Sequence, residues 1–497
     1  MRRCPSCTTE LPEGVRFLAA ILILGLALIA PAGSAGAAPA AGGRTNVILI
    51  LVDDLGWKDT GFQGSAYYET PSLDRLAHQG MIFTDAYASA PNCAPSRASL
   101  LSGQYPPRLG IYTVGSTERG PEKLRKWIPV KNQTVLRPQT VTIAEALKPA
   151  GYVSACIGKW HLGSYPTSGP AAQGFTLSLG GGPEGHAKSH FSPYGIVEMP
   201  DGPTGEYLTD RLTSEAIHFI SDPKSRPFFL YLSYYAVHTP IQAKKELIEK
   251  YRNKKGSGGQ DSPEYAAMIE SVDQGVGRIL ATLDTLKLAG STAVILLSDN
   301  GGWAQVTSMA PLRGSKGTLY EGGIRVPMAA LWPGRIRPGS VADAPVTGVD
   351  LYPTILEMAG VRQPLGYKLD GESLVALMQG GPPPSGSIFW HFPAYLEPDS
   401  GRRGPWKATP CSAIRQGDWK LIEFFEDGHL ELYNLRNDIG ETKDLAAAMP
   451  DKVRDLQRAL AEWRASIRAP VPMVRNPKYD PAAPVVMNGE GEGAPTD

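Results

Sequence analysis

Residues 46–56 read NVILILVDDLG, an apolar and β-branched run that closes on Asp53, Asp54 and a glycine. An unbroken run of this kind suits a strand buried on both faces of a parallel sheet. In open α/β sheets, ligands lie beyond the carboxyl ends of such strands. Asp53 and Asp54 thus stand where a site belongs, although such a pair can also cap a turn. The pattern recurs downstream: residues 292–302 read TAVILLSDNGG, a second buried-strand run ending on Asp299 and Asn300. Two strands closing in this way can bring Asp53, Asp54, Asp299 and Asn300 together. The set offers oxygen and neither nitrogen nor sulfur, which suits a hard cation, Ca²⁺ or Mg²⁺, rather than zinc. Three carboxylates crowded without a cation would repel one another and raise their pKa values.

Between the two runs lies SAPNCAPSRASLLSG at residues 89–103. It places Cys93 where an apolar segment ends and a helix begins. Pro95 suits a first helical position, and Gly103 stops the helix. A helix start presents free N–H groups and a positive dipole end, so an anion is favoured there, and Arg97 adds a fixed charge. A buried free thiol before an ordinary helix is the plain alternative. Cysteine phosphatases need five residues between cysteine and arginine. Here Arg97 follows too early, and Ser99 stands where that pattern requires arginine.

Other apolar runs end in the same manner. Residues 152–157, YVSACI, lead into GKWHLG with Lys159 and His161, and residues 228–236, FFLYLSYYA, lead into VHTP with His238. Helices are expected over 72–80, capped by Ser72, over 140–151, over 263–288 and over 349–359. The glycine-rich stretch 180–195 holds His186 and His190 and reads as a loop shaping substrate access; zinc on those histidines lacks a partner set. Residues 312–327, LRGSKGTLYEGGIRVP, form a basic, glycine-punctuated loop from which Lys316 can reach an anion. The prolines at 382–384 mark a linker. Beyond it, 387–392, 411–415, 419–425 and 430–434 read as short antiparallel strands, and 451–468 as an amphipathic helix.

The chain of 497 residues carries 49 Lys+Arg against 49 Asp+Glu, so charge offers no argument for nucleic acid. Arginines followed by an apolar run over 17–30 and a small-residue stretch read as a secretory signal over 1–37, cut near Ala37. An uncleaved anchor is the alternative. Cys4 and Cys7 would leave with the signal, and their spacing has no account. Cys93, Cys156 and Cys411 remain, an odd number that flags one thiol for another use. Whether Cys156 and Cys411 pair is open at this point.

The motif C-x-P-S-R at Cys93–Arg97 resembles the signature of the formylglycine-dependent sulfatases of the alkaline phosphatase superfamily. NVILILVDDLGW, GKWHLG, AVHTP, LLSDNGG, LRGSKGTLYEGGIRVP and the closing ELYNLRNDIGETKDLA extend the resemblance, in family order, over nearly all of the mature chain. It implies an α/β fold: a large mixed, mostly parallel sheet flanked by helices, with a smaller C-terminal α+β domain built on an antiparallel sheet. The divisions expected are a catalytic domain over 44–380, the C-terminal domain over 385–470 and a disordered tail over 476–497.

The resemblance also implies site roles. Cys93 would be oxidised to formylglycine by a separate maturing enzyme. Asp53, Asp54, Asp299 and Asn300 would hold Ca²⁺, or Mg²⁺, with an oxygen of the modified Cys93. Arg97 would steady that group. Lys159, His238 and Lys316 would bind the sulfate oxygens, His238 or Lys316 would protonate the leaving alcohol, and His161 would hydrogen-bond the aldehyde hydrate. Two hydroxyls on one carbon allow the sulfate to be expelled, whereas a serine would stall. The expected substrate is a sulfated carbohydrate, with aryl sulfates as surrogates. Expected alternatives are a phosphomonoesterase, phosphodiesterase or phosphonate hydrolase of the same superfamily, or an inactive sulfated-glycan-binding protein. The address implied is periplasmic or extracellular in a bacterium, and lysosomal or secreted in a eukaryote.

Overall fold

The computed structural model describes residues 44–399 and 404–484. The expected signal, with Cys4 and Cys7, lies outside them. Fourteen strands follow in chain order: β1 (Asn46–Val52), β2 (Met81–Phe83), β3 (Ala86–Tyr87), β4 (Val153–Gly158), β5 (Leu177–Leu179), β6 (Phe228–Ser233) and β7 (Thr292–Ser298), then β8 (Met328–Leu331), β9 (Ser340–Ala342), β10 (Val346–Thr347), β11 (Ile388–Phe392), β12 (Cys411–Gln416), β13 (Trp419–Phe424) and β14 (Leu430–Asn434). Eight of them form one mixed sheet in the order β5-β4-β6-β1-β7-β8-β2-β9. The five central and left-hand members are parallel, and β8 runs antiparallel to both β7 and β2.

Strand β1 is apolar throughout because alternate side chains enter two different cores. Val47, Leu49 and Leu51 pack with the helices Cys93–Ser102 and Leu351–Met358. Ile48, Ile50 and Val52 pack with Pro71–Gln79, Leu208–Ser221 and Pro263–Thr285 on the opposite face. Helices therefore cover both faces, as a parallel sheet requires. The C-terminal sheet β11-β12-β13-β14 is antiparallel. One face receives Leu456 and Leu460 of the helix Pro450–Ile467, and the other packs on Tyr87, Leu319 and Ile324.

Several expected boundaries shift for local reasons. The first helix starts at Pro71 with Thr70 as its cap residue, not at Ser72. The N–H groups of Ser72 and Leu73 are taken by Asp273 Oδ1, 2.8 Å from each, so a distant carboxylate caps the helix. The helix expected over 140–151 is shorter, Ile143–Leu147, opened by a Thr142–Glu145 capping box and followed by a 3₁₀ turn at Lys148–Ala150. The helix expected after Cys93 begins at Cys93 itself, which puts Pro95 at the third helical position. Cys156 and Cys411 are buried and unpaired. The start of the expected disordered tail is docked: Asn476 is buried and donates from Nδ2 to the carbonyls of Glu122 and Arg125, 2.8 Å each.

Candidate active site

Sheet register delivers most of the site. Val52 pairs with Ser298, so Asp53 and Asp299 leave adjacent parallel strands at one level. Ser233 pairs with Leu51 on one side and Gly158 on the other, which brings Lys159 to the same edge. Gly158 has φ +100, and a Cβ there would fall 1.9 Å from the Ser233 carbonyl oxygen. Only glycine allows that approach and the turn into Lys159. The chain after β6 stays pinned to the first strand, since Asp53 N–H donates to Ala236 O (2.9 Å) and Val237 N–H to Asp53 O (2.8 Å). That places His238 beside Asp54.

The side chains form one buried cluster. Arg97 Nε donates to Asp299 Oδ2 at 2.9 Å, its Nη2 lies 2.7 Å from the same oxygen and 3.4 Å from Asp53 Oδ1. Its Nη1 donates to Ser233 Oγ and to the Lys159 carbonyl. Lys159 Nζ lies 2.6 Å from Asp53 Oδ2. Asp54 Oδ1 accepts from Asn300 Nδ2 at 2.7 Å, Asp54 Oδ2 from Lys316 Nζ at 2.9 Å, and His238 Nε2 stands 3.6 Å from that oxygen. Ligand atoms of Asp53, Cys93 and Asp299 lie within 4.8 Å of one another, as do those of Asp54, Cys93 and His238. All ten residues singled out in the sequence thus meet at one place, with His161 close enough to feel Lys159, Arg97, His238 and Lys316.

Burial and charge set the protonation states. Burial pushes the Cys93 thiol up to about 12, with Lys159 and Lys316 opposing. Burial and the neighbouring cations hold His161 well below the usual imidazole range, so it is neutral. Burial and Lys316 lower His238 to about 3 against the pull of Asp54. Burial opposes ionisation of Asp54, but Lys316, His238 and Lys159 outweigh it and leave its pKa below the usual carboxylate range. Burial, and then repulsion from Asp53, raises Asp299 to about 6. Lys316 keeps its proton because Asp54 and its neighbours overcome the cost of burial.

A hard cation fits this donor set. Among the described residues Asp53 Oδ1, which has only the 3.4 Å ion pair with Arg97, and Asn300 Oδ1 are buried acceptors without a hydrogen-bond donor. Leaving such groups unsatisfied costs about 1–3 kcal/mol each. Both belong to residues whose side chains contact or adjoin the carboxylates of the cluster. His186 and His190 are not among the groups of three ligating side chains found in the described residues. Instead His190 Nε2 contacts the His238 carbonyl at 3.1 Å, and His186 stacks on the His238 ring at 6.3 Å.

Sequence reasoning missed Ser233, the polar end of the FFLYLS strand, which receives Arg97. It also missed Asp59, whose carboxylate accepts from Gly56 N–H at 2.7 Å and Tyr265 OH at 2.7 Å, while Tyr265 OH reaches the Asp54 carbonyl at 3.1 Å. Asp59 lies six positions after Asp53 with no apolar run to mark it; its role appears only when the helix Pro263–Thr285 arrives behind the loop.

The family model described as Sulfatase matches residues 45–361, and the model described as N-sulphoglucosamine sulphohydrolase, C-terminal, matches residues 315–467. The chain is 33% identical over 523 residues to a sulfatase of Formosa agariphila, covering 90% of this chain and 94% of that protein. It is 35% identical over 397 residues to the N-acetylgalactosamine-6-sulfatase of Canis lupus familiaris, covering 74% and 72%. Its fold is similar to the crystal structure of Ps i-CgsB in complex with k-i-k-neocarrahexaose, with TM-score 0.72, 30% identity and coverage of 87% and 94%. A mixed sheet with acidic and basic groups gathered at its carboxyl edge is the architecture of the alkaline phosphatase superfamily. Within it, the chain belongs to the sulfatase family. It is an enzyme, a sulfuric ester hydrolase.

Proposed function

We propose that this sulfatase hydrolyses sulfate monoesters of a sulfated carbohydrate, with formylglycine made from Cys93 as nucleophile and a bound Ca²⁺, or Mg²⁺ in its place. The observation that carries the reading is Cys93 at the first position of a helix, within 4.8 Å of both ligand groups, Asp53–Asp299 and Asp54–His238. A thiol raised to about 12 is a poor nucleophile at neutral pH, and its sulfur is a soft donor unsuited to the oxygen set around it. An oxygen nucleophile at that position suits both. Sulfated carbohydrate is favoured by the names of the relatives, which include an N-acetylgalactosamine-6-sulfatase and a structure bound to a neocarrahexaose.

Charge favours a monoanionic ester. Asp53, Asp54 and Asp299 are matched by Arg97, Lys159 and Lys316. A divalent cation would leave an excess of two positive charges, which one ionised oxygen at position 93 and a sulfate monoester would neutralise. A dianionic phosphate monoester would exceed it. A phosphodiester or phosphonate monoester carries the same single charge as a sulfate ester, so an assay must separate those.

The reaction consumes water, breaks one S–O bond and releases an alcohol and hydrogensulfate. Formylglycine would supply a hydrated aldehyde, one hydroxyl for attack and a second that permits sulfate release. The cation would offset charge on the reacting oxygens. Asp53, Asp54, Asp299 and Asn300 would hold it. Arg97, fixed by Asp299 and Ser233, would orient position 93. Lys159, His238 and Lys316 would bind the sulfate oxygens as charge builds on them. Lys316, which keeps its proton, would protonate the departing alcohol oxygen, and neutral His161 would accept a proton from position 93. The N-terminal signal expected from the sequence would export the chain, and no helix among the described residues is long and apolar enough to cross a membrane.

Protein coexpressed with a formylglycine-generating enzyme tests this. Mass spectrometry of the Cys93 peptide should show the aldehyde, and an aryl sulfate should be cleaved faster than an aryl phosphodiester. A free thiol in fully active protein defeats the nucleophile assignment. Faster phosphodiester turnover defeats the substrate class. Tight glycan binding by modified protein that releases no sulfate would favour the inactive binding protein.

A further inference from the structure

The cleft bordered by Ala94 and His161 has a wall that the chemistry above does not use. The cavity measures about 640 Å³; Ala94 and His161 line it from the reacting centre, and Glu184, His186 and Lys188 line it from the 180–195 loop. That size falls within the range of ligand clefts, ~300–1,000 Å³, and a sulfate group fills only a small part of it.

The wall is built rather than loose. Lys188 N–H and Ser189 N–H both donate to the Tyr194 carbonyl, at 3.0 and 3.3 Å. Tyr194 N–H is held by Asp201 Oδ1 at 2.7 Å, and His190 N–H by Gln242 Oε1 at 2.9 Å. The stem of Lys188 lies along Gly195, where a Cβ would come within 2.8 Å of its Cβ and Cγ. Yet the cationic end of this wall has no counter-charge among the described residues. No carboxylate pairs with the Lys188 ammonium among the described residues, whereas Arg119, the other long cation of the cleft, is 2.7 Å from Glu397. Glu184 lines the same wall. A cation exposed on the wall of the cleft, with no carboxylate against it among the described residues, describes the ligand that would match it: one that carries a negative charge.

We propose that this wall is a subsite for the sugar adjoining the one that loses its sulfate. Lys188 takes an anionic substituent of that neighbour, a carboxylate or a second sulfate, and Glu184 accepts a hydrogen bond from a ring hydroxyl. The inference rests on the sulfatase reading of the main site. It makes the enzyme one that acts on a polyanionic glycan rather than on isolated sulfated sugars.

Two charged disaccharides test it, a uronate linked to a sulfated hexosamine and a pair of linked sulfated galactoses, each beside its analogue with a neutral neighbour. Binding is measured by calorimetry and turnover by sulfate release, for the wild type, Lys188→Met and Glu184→Gln. The wild type should prefer at least one charged form over its neutral analogue, by about tenfold for one charge-assisted contact. Lys188→Met should abolish that preference, mainly through KM, and remove its salt dependence. Glu184→Gln should weaken charged and neutral disaccharides alike. Whichever disaccharide shows the preference identifies the substituent. Absence of a preference, failure to bind either disaccharide, or a preference that survives Lys188→Met overturns the proposal. Lys188-dependent binding without sulfate release would instead sink the catalytic reading and leave the subsite standing.

Discussion

Asn300 Nδ2 donates to Asp54 Oδ1 over 2.7 Å, although 246 positions separate the two residues. The contact exists because β1 and β7 are parallel neighbours in register, so the residues just past each strand end must meet. It joins both halves of the oxygen set, and it leaves Asn300 Oδ1 without a partner. The same arrangement governs how the cluster should respond to change.

Asp299 is held by Arg97 and in turn fixes it. Asp299→Ala strands a fully buried guanidinium, which costs about 3–5 kcal/mol. The variant should also lose the Ca²⁺-dependent rise in Tm. In the wild type, calcium at about 100 times its Kd should add ~2.7 kcal/mol, and a chelator should remove it. Thermal scans with and without calcium check both, and a full calcium response in Asp299→Ala would remove that residue from the metal set.

Cys93→Ala should abolish turnover while leaving the fold intact, since it deletes one buried sulfur next to the sheet edge. Lys316→Met should lower kcat by roughly 10²–10³, the range for losing one charged group that stabilises a transition state. Aryl sulfate kinetics check both, with the aldehyde at position 93 verified in the wild type and in Lys316→Met. Full activity in Lys316→Met would make its contact with Asp54 a structural one.

Asp273 supplies a clean pH test away from the site. Burial raises its pKa from 3.8 to about 6. Its stabilising contribution is therefore fully present below about pH 4 and is lost as pH rises through about 6. Asp273→Asn keeps the acceptor for Ser72 and Leu73 but cannot ionise. Relative to this variant, the wild type should lose roughly 2–3 kcal/mol between pH 4 and 7. Denaturant midpoints of both proteins across that range check the slope; parallel curves would mean that Asp273 does not titrate there.

Lys420 of β13 is fully buried between Glu321 Oε1 at 2.9 Å and Glu441 Oε1 at 2.8 Å. Glu321 also accepts from Tyr87 OH and pairs with Arg325, so this network ties the C-terminal sheet to the loop that carries Lys316. Burial and Glu321 raise Glu441 to about 7 despite Lys420. Lys420→Met should destabilise by about 3–5 kcal/mol, because two carboxylates lose their cation. Adding Glu441→Gln should restore part of the loss, measured by a double-mutant cycle in denaturant. Strict additivity would show that the two do not act as a unit.

Much of this architecture is readable in the chain. β1 and β7 fall where their apolar runs predict, because a strand facing two cores must be apolar at successive positions. β6 ends earlier than its run suggests: Tyr234 to Ala236 are buried too, but they leave the sheet and carry the turn towards His238. The two- and three-residue strands β2, β3, β5, β9 and β10 escape reading, since so short a segment has no period. Asp59 and Ser233 look ordinary in sequence because their partners come from other segments.

The order of residue types along the chain determined the fold class, the central strands, the oxygen-bearing strand ends and the place of Cys93 before a helix. Those follow from local rules, the need to bury apolar runs and the conformational limits of glycine and proline. Tertiary structure alone decided that Lys159 rests on Asp53 and Lys316 on Asp54, that Cys156 and Cys411 stay apart, and that Lys188 lines the cleft. Contacts of that kind depend on register and packing between segments far apart in the chain, and no local pattern encodes a distance.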